Sequence, residues 1–303
     1  MCSDLRLPIA LRRFAVLLLV LVSVAAATAG RGKATTTSVF SSAQPCDQLA
    51  RFHKQDFPER PVIDNRFLPF VPGTQRVFEG DVDGVPHRVT FTVTDLAKEI
   101  DDVESLVIWD VDESLGEVVE SELAFFAQDT SGNVWNTGEY PEEFDGGEFV
   151  GAPSTWITGV AGAKAGIHMA ASPQVGTPFY LQGFAPTIDF LDCARVIQTG
   201  QTVTVPAGTF HDVLVTEETN PNLPEDGFQT KYHAPGVGIV KIGFTVPGGA
   251  PETLELVELR QLSRSELRDA RREALALDRR GYRFSKVYRR TEPAERIDGG
   301  GND

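Results

Sequence analysis

Between residues 61 and 262 the chain repeats one pattern. Short runs of Val, Ile, Thr, Phe and Leu, often alternating with polar side chains, are broken by Gly, Pro, Asp or Asn every few residues. Alternation with a period of two places one set of side chains on each face of a strand, and such frequent turn residues leave no room for helices of ordinary length. The chain is therefore restricted to a mainly β, mostly antiparallel fold. Residues 74–79 and 87–94 flank Asp83 and Gly84, a pair that accepts the positive φ angles of a tight hairpin turn. Residues 103–111 and 117–127 repeat the arrangement across Gly116, and residues 129–133 turn the chain before a strand restarts at Val134 and Trp135. A second set begins at residues 202–205, turns through Pro206, Ala207 and Gly208, and continues as 209–217, 229–233, 238–246 and 253–262. Pro206 and Gly208 suit a chain reversal. Pro235, Gly236 and Gly238 suit a bend or bulge in an edge strand. Residues 151–199, interrupted by Gly159, Gly162, Gly166, Gly176 and Gly183, read as loop-rich, with a short helix or strand at 189–197.

The two ends differ in kind. Arg6, Arg12 and Arg13 precede a 14-residue apolar run over 14–27 and the small residues Ala27, Thr28 and Ala29. A run this short does not cross a bilayer core, which needs about 20 residues, so residues 1–29 read as a signal peptide with no stable membrane anchor after cleavage. Cys2 precedes the apolar run, where a lipidated Cys would follow it, so no lipid anchor is expected. Residues 30–60 read as a flexible leader, because its first half holds Thr, Ser, Gly and Ala with almost no large apolar side chain. At the other end, Ser263 and Glu266 have capping-box spacing ahead of Leu267, Ala270, Ala274 and Leu277, which share a helical face. The reading is a helix over 263–281 that stops near Gly281, followed by a mostly disordered tail over 282–303.

Charge and cysteine usage set the compartment and exclude some partners. The 303 residues carry a net charge of −15, and loss of three Arg and one Asp with residues 1–29 takes it to −17. A nucleic-acid role needs a basic face and is not expected. The charge is segregated, net −21 over 30–259 and +4 from Arg260 onward, which favours docking of the helix on the acidic sheet. Cys46 and Cys193 are the cysteines left after export, and an oxidising compartment makes them a candidate disulfide. The protein is expected in a bacterial periplasm or outside the cell.

Four ordered stretches stand out as motifs. The first is Asn65, Arg66, Phe67, Leu68, Pro69, Phe70, Val71, Pro72, Gly73 and Thr74. The second is Phe125, Phe126, Ala127, Gln128 and Asp129, followed by Gly132, Asn133, Val134 and Trp135. A third holds Trp156, Gly159, Gly162, Ala163, Lys164, Gly166, Ile167 and Met169. The densest joins 205–210 (Val-Pro-Ala-Gly-Thr-Phe) to 231–240 (Lys-Tyr-His-Ala-Pro-Gly-Val-Gly-Ile-Val). Together these stretches resemble a group of exported bacterial β-rich proteins of unknown function; the resemblance spans residues 65–257, departs from the group's pattern at Ala124 and His233, and implies no catalytic or binding role for any residue. A more distant similarity to lipoprotein-carrier half-barrels implies a concave sheet able to hold an apolar ligand.

The residues themselves point to little recognisable chemistry. Asp110, Asp112 and Glu113, the pair Asp81 and Asp83, and Asp129 with Asn133 supply oxygen ligands of the kind calcium takes, but the full calcium-loop spacing is missing, and solvated acidic turns are the expected reading. His53, His87, His168, His211 and His233 are scattered without chelating spacing, so neither a metal nor another cofactor is expected. No Gly-x-Ser-x-Gly elbow or zinc-protease helix motif occurs, and the Gly-rich 159–166 with Lys164 is out of phosphate-loop frame. Trp109, Trp135 and Trp156 suit a core or a ligand cleft. The fold expected is a curved antiparallel sheet or half-barrel with a C-terminal amphipathic helix. The leading functional expectation is non-catalytic binding of an apolar small molecule or an envelope protein. The alternatives are a secreted hydrolase using paired carboxylates such as Asp110 and Glu120, and a structural or adhesive module. Two carboxylates facing each other in a cleft would favour the hydrolase.

Overall fold

The computed structural model describes residues 46–82, 84–224, 227–245 and 252–297. The expected signal peptide, the leader up to residue 45, the turn residue Asp83 and the last six residues lie outside the described residues. Among the described residues the strands are β1 (Thr74–Val82), β2 (Val85–Ile100), β3 (Val103–Ser114), β4 (Glu117–Gln128), β5 (Val134–Asp145), β6 (Glu148–Gly151), β7 (Trp156–Ile157), β8 (Lys164–Met169), β9 (Tyr180–Ala185), β10 (Phe190–Val205), β11 (Gly208–Thr219), β12 (Phe228–Ala234), β13 (Gly238–Thr245), β14 (Glu252–Gln261) and β15 (Glu295–Arg296), with one α-helix, α1 (Arg264–Phe284).

The sheet goes beyond a half-barrel and closes. Its path runs β1-β14-β13-β12-β11-β10-β9-β8-β5-β4-β3-β2, and β2 pairs back onto β1 from Gln75↔Thr92 to Val82↔Val85. Closure into twelve antiparallel strands leaves those strands without a free edge. The lumen holds one continuous apolar cluster that includes Phe78, Val89, Phe91, Phe126, Trp156, Phe190, Ile242 and Leu254. One end is filled by the segment before β1, whose Ile63, Leu68 and Phe70 join that cluster. Asn65 fastens this plug by donating Nδ2 to the carbonyls of Gly132 and Ala170, and Gly236 N donates to the carbonyl of Arg66. Gly236, at φ +73°, is the left-handed turn residue between β12 and β13.

Residues 151–199 are about half strand, holding β7, β8, β9 and the start of β10, which takes the place of the short helix or strand expected at 189–197; the rest is turn and loop. Gly159, Gly162 and Gly176 are turn residues at positive φ, whereas Gly166 and Gly183 sit within strands and mark crowding. A Cβ on Gly166 would lie 2.5 Å from Gln182 backbone, and one on Gly183 would lie 2.7 Å from the Phe190 ring. The leader is likewise docked from Cys46 onward. Phe52 and Phe57 pack on Trp135 with ring centres 5.3 and 6.2 Å away, and Lys54 Nζ bonds Asp101 and Asp102 at 2.8 and 2.7 Å. These aromatic rings bury apolar surface that the Ser/Thr-rich half of the leader lacks.

The structure pairs Cys46 with Cys193, with Cα atoms 6.0 Å apart and a sequence separation of 147. A cross-link closing so long a loop restricts the unfolded chain, so reduction should cost about 2–4 kcal/mol. Thermal melts with and without reductant, alongside the intact mass, check this. An unchanged midpoint together with two free thiols in the native protein would show that the pair is open in solution.

Helix α1 starts as expected, with the Ser263–Glu266 capping box formed in both directions. It runs through Gly281 to Phe284, buries Ala270, and packs Ala274 and Leu277 with Leu96, Val107, Leu123 and Phe125 on the outside of the barrel. Gly281 is not a stop signal. A Cβ there would meet the Tyr288 ring at 2.5 Å, so glycine is what lets the following segment fold back onto the helix. That segment is ordered, where the sequence suggested a disordered tail. Tyr288 is fully buried and donates to Asp278 Oδ1 at 2.7 Å, and β15 pairs with β2 at Ala97 and Leu96. The expected docking on acidic residues takes the form of ion pairs, Arg271 with Asp95 and Arg280 with Glu142, joined by buried Lys98 with Asp278.

Candidate functional site: an acidic belt inside the barrel

Strand alternation turns Leu106, Ile108, Asp110 and Asp112 of β3 to the lumen, and Val107, Trp109 and Val111 outward. On β4 the lumen-facing set is Glu120, Glu122, Ala124 and Phe126. The register places Asp110 directly opposite Glu122 and Asp112 opposite Glu120, a spacing of about 5 Å between Cβ atoms. Asp110 and Glu120 are thus diagonal neighbours, and each faces a different carboxyl from the one the sequence suggested.

Other strands complete a polar belt. His87 of β2 lies with Nε2 2.5 Å from Asp112, and Glu139 of β5 accepts from Asn136 Nδ2 and Trp156 Nε1, both at 2.5 Å. Gln182 of β9 donates to the carbonyl of His168 and to Glu218 of β11. Lys231 of β12 sits with Nζ 2.5 Å from Glu218 Oε2, and Thr216 bonds His233 Nε2 at 3.2 Å. Lys231 and Glu139 are fully buried, and Asp110, Asp112, Glu120, Glu122 and Glu218 are at most 7 % exposed. Asp112 and Glu120 lie close to the Leu115–Gly116 turn, the end of the barrel away from the plug.

Burial decides the charge state of these groups. Taken out of water, a carboxyl favours its neutral form, and neighbouring carboxyls add to the effect. Desolvation first, then mutual repulsion, raises Asp110, Glu120 and Glu122 well above the usual carboxylate range. Glu139 is raised too, although its two donors oppose the shift. Asp112 is raised by burial and pulled back by His87. Asp192 of β10 is lifted to about 8, chiefly by burial and then by Glu218, with Lys231 opposing. The histidines move the other way: burial holds His168 well below its usual range and brings His233 down to about 3. The belt thus gathers carboxyls whose neutral form burial favours, with the His168 and His233 imidazoles shifted the same way, around the Lys231–Glu218 contact. Asp110 Oδ1 and Glu122 Oε1 are buried and have no hydrogen-bond partner among the described residues.

The remaining sequence candidates fall elsewhere. Glu113 points away from Asp112, as alternation requires, and Asp81 is exposed. Asp129 spends its carboxylate on its own turn, accepting from the Ser131 and Asn133 amides, Asn133 Nδ2 and Trp135 Nε1, so it is a turn staple and not a calcium ligand. Among the described residues no three His, Cys, Asp or Glu side chains could hold a metal ion. Of the tryptophans, Trp156 alone joins the lumen cluster; Trp135 and Trp109 pack outside. Pro206 and Ala207 form the two-residue reversal between Val205 and Gly208, and Gly238 lies against the Arg76 guanidinium. These turn residues position strands and reach no lumen group. Sequence reading missed Glu122, Glu139, His168, Glu218 and Lys231 as partners. Part of the signal was present: Asp110 and Asp112 continue the phase of Leu106 and Ile108, so charges stand in an apolar stripe.

No family model matches the chain, and no curated protein matches it. Two solved structures are similar over 65 % of this chain and 99 % of their own: an inferred exported protein with a YMCC-like fold from Bacteroides fragilis, at 12 % identity, and an inferred lipoprotein from Parabacteroides distasonis, at 16 % identity. Both have a TM-score of 0.34, too low for either to bear on function. Among the described residues no helix is long and apolar enough to cross a membrane.

Proposed function

We propose that this chain is an exported, non-catalytic binding barrel that takes an apolar small molecule into its lumen and holds the ligand's polar head at the acidic belt. The observation that carries the reading is the pair of unpartnered oxygens, Asp110 Oδ1 and Glu122 Oε1, buried beside an apolar wall of Phe78, Phe91, Phe126 and Trp156. A buried polar atom left unbonded costs about 1–3 kcal/mol, and a ligand head that bonded both would recover that cost while its body stayed on the aromatic wall. The N-terminal apolar segment and the Cys46–Cys193 pair support the exported setting.

Native mass spectrometry of the secreted mature protein, compared with the denatured sample, tests this. A lipid-sized mass released on denaturation, and absent from an Asp110→Asn, Glu122→Gln variant, is the expected result. A bare polypeptide mass for the wild type in every preparation would sink it. The directly opposed carboxyls favour a second reading, acid-base hydrolysis. Their enclosure in the lumen closes them to a polymer, so under that reading the released mass would be a cleaved fragment, and the variant would retain its uncleaved precursor.

A further inference from the structure

The cations of α1 and of the turn after it form three sets, of which Arg264, Arg268 and Arg272 lie along the first half of the helix, away from its C-terminus. Arg271 and Arg280 face the barrel and are spent on Asp95 and Glu142. At the helix C-terminus, Arg279, Arg283, Lys286, Arg289 and Arg290 are all exposed, and none forms an ion pair among the described residues of an otherwise acidic protein. Arg289 gathers them by donating Nε to the Tyr282 carbonyl and Nη2 to the Arg283 carbonyl, which folds residues 286–290 back beside Arg283. Phe284 stands among them, 49 % exposed, with its ring 4.6 Å from Phe149 and 5.6 Å from the Arg283 guanidinium. Asp145 and Glu148, on the hairpin that carries Phe149, make no ion pair with the cations.

The helix dipole accounts for cations in the last turn. It does not account for Lys286 and Arg290 beyond the helix, for two arginines held at i and i+4, or for an uncovered phenylalanine in their midst. We propose that this patch is a reversible docking surface for an anionic membrane, with the cations on lipid phosphates and Phe284 in the headgroup layer. The net charge of −15 works against general attraction, so contact through this patch would orient the molecule and keep the acidic barrel away from the lipid.

The test is co-sedimentation of the full mature protein with vesicles of phosphatidylglycerol and phosphatidylcholine, against pure phosphatidylcholine, at low and high salt. Binding is expected to the anionic vesicles alone and to fall with salt. It should weaken by roughly tenfold or more in an Arg283→Gln, Lys286→Gln, Arg290→Gln variant. Phe284→Ser should weaken binding while leaving its salt dependence unchanged. All four side chains are exposed, so an unchanged melting midpoint verifies the fold of each variant. Equal binding to both vesicle types, no binding to either, or an unaffected triple variant would overturn the proposal. So would binding to a soluble glycerol-phosphate polymer without binding to vesicles.

Discussion

Replacing Lys231 by Met should lower the unfolding free energy by about 3–5 kcal/mol, a larger effect than any surface substitution. Lys231 is fully buried, it contacts Glu218 at 2.5 Å, and it is the cation that opposes the raised carboxyls at Glu122, Glu139 and Asp192. Its removal leaves a buried Glu218 either charged without a counter-charge or forced to take up a proton. The double variant Lys231→Met, Glu218→Gln removes both charges, and most of the loss should return, because the cost lies in the orphaned charge and not in the lost attraction. Urea unfolding of the single and double variants measures this coupling directly. A single variant costing less than about 0.5 kcal/mol would mean that Lys231 is hydrated and the belt is not a closed interior.

The second large effect is pH. Asp110, Asp112, Glu120, Glu122, Glu139 and Asp192 all have folded-state pKa values raised above the ordinary carboxylate value. The folded state therefore keeps protons that the unfolded chain releases. Their stabilisation is complete below about pH 4 and is lost as pH rises through the folded values, with Asp192, at about 8, giving one upper mark. Each group that stays protonated contributes a slope of about 1.4 kcal/mol per pH unit in that window. His168 and His233 act in the opposite sense below their ordinary value, because they stay neutral where the unfolded imidazoles charge, but the carboxyls outnumber them. The protein should be most stable in mildly acid solution and should lose stability steadily from pH 5 to pH 9, in the opposite direction to ordinary acid denaturation. Melting midpoints across that range check the sign; a flat or rising curve would show that the belt is ionised in the folded state.

Much of the fold was legible because its determinants are local. The hairpins around Gly84, Gly116, residues 129–133 and Pro206 to Gly208 follow from turn chemistry between alternating runs, and the structure forms them where the alternation changes phase. The helix start was legible for the same reason, since Ser263 and Glu266 satisfy each other's backbone amides within one turn. What failed were residues whose role depends on something distant. Gly166 and Gly183 read as loop markers but leave room for Gln182 and Phe190, and Gly281 read as a stop but makes room for Tyr288. The leader and tail read as free because nothing nearby in sequence announces that Phe57 reaches Trp135 or that Tyr288 reaches Asp278.

The candidate site shows the same division. Asp110 and Glu120 drew notice as acids on neighbouring strands, but the one-residue register that sets Asp110 against Glu122, and the closure of β1 on β2 that puts both in a lumen, belong to long-range pairing. By itself the sequence determined the strand period, the turns, the helix cap, the separation of charge and the phase that aims Asp110 and Asp112 with Leu106 and Ile108, since each depends on neighbours a few residues apart. Only the tertiary structure decided that the sheet closes, that carboxyls from β3, β4, β5, β10 and β11 meet around one lysine, and that those of β3, β4, β5 and β10 are pushed toward their protonated form there. Desolvation is a property of the assembled interior: a carboxyl's proton affinity depends on how much water and how many other charges surround it, and no local stretch of chain specifies either.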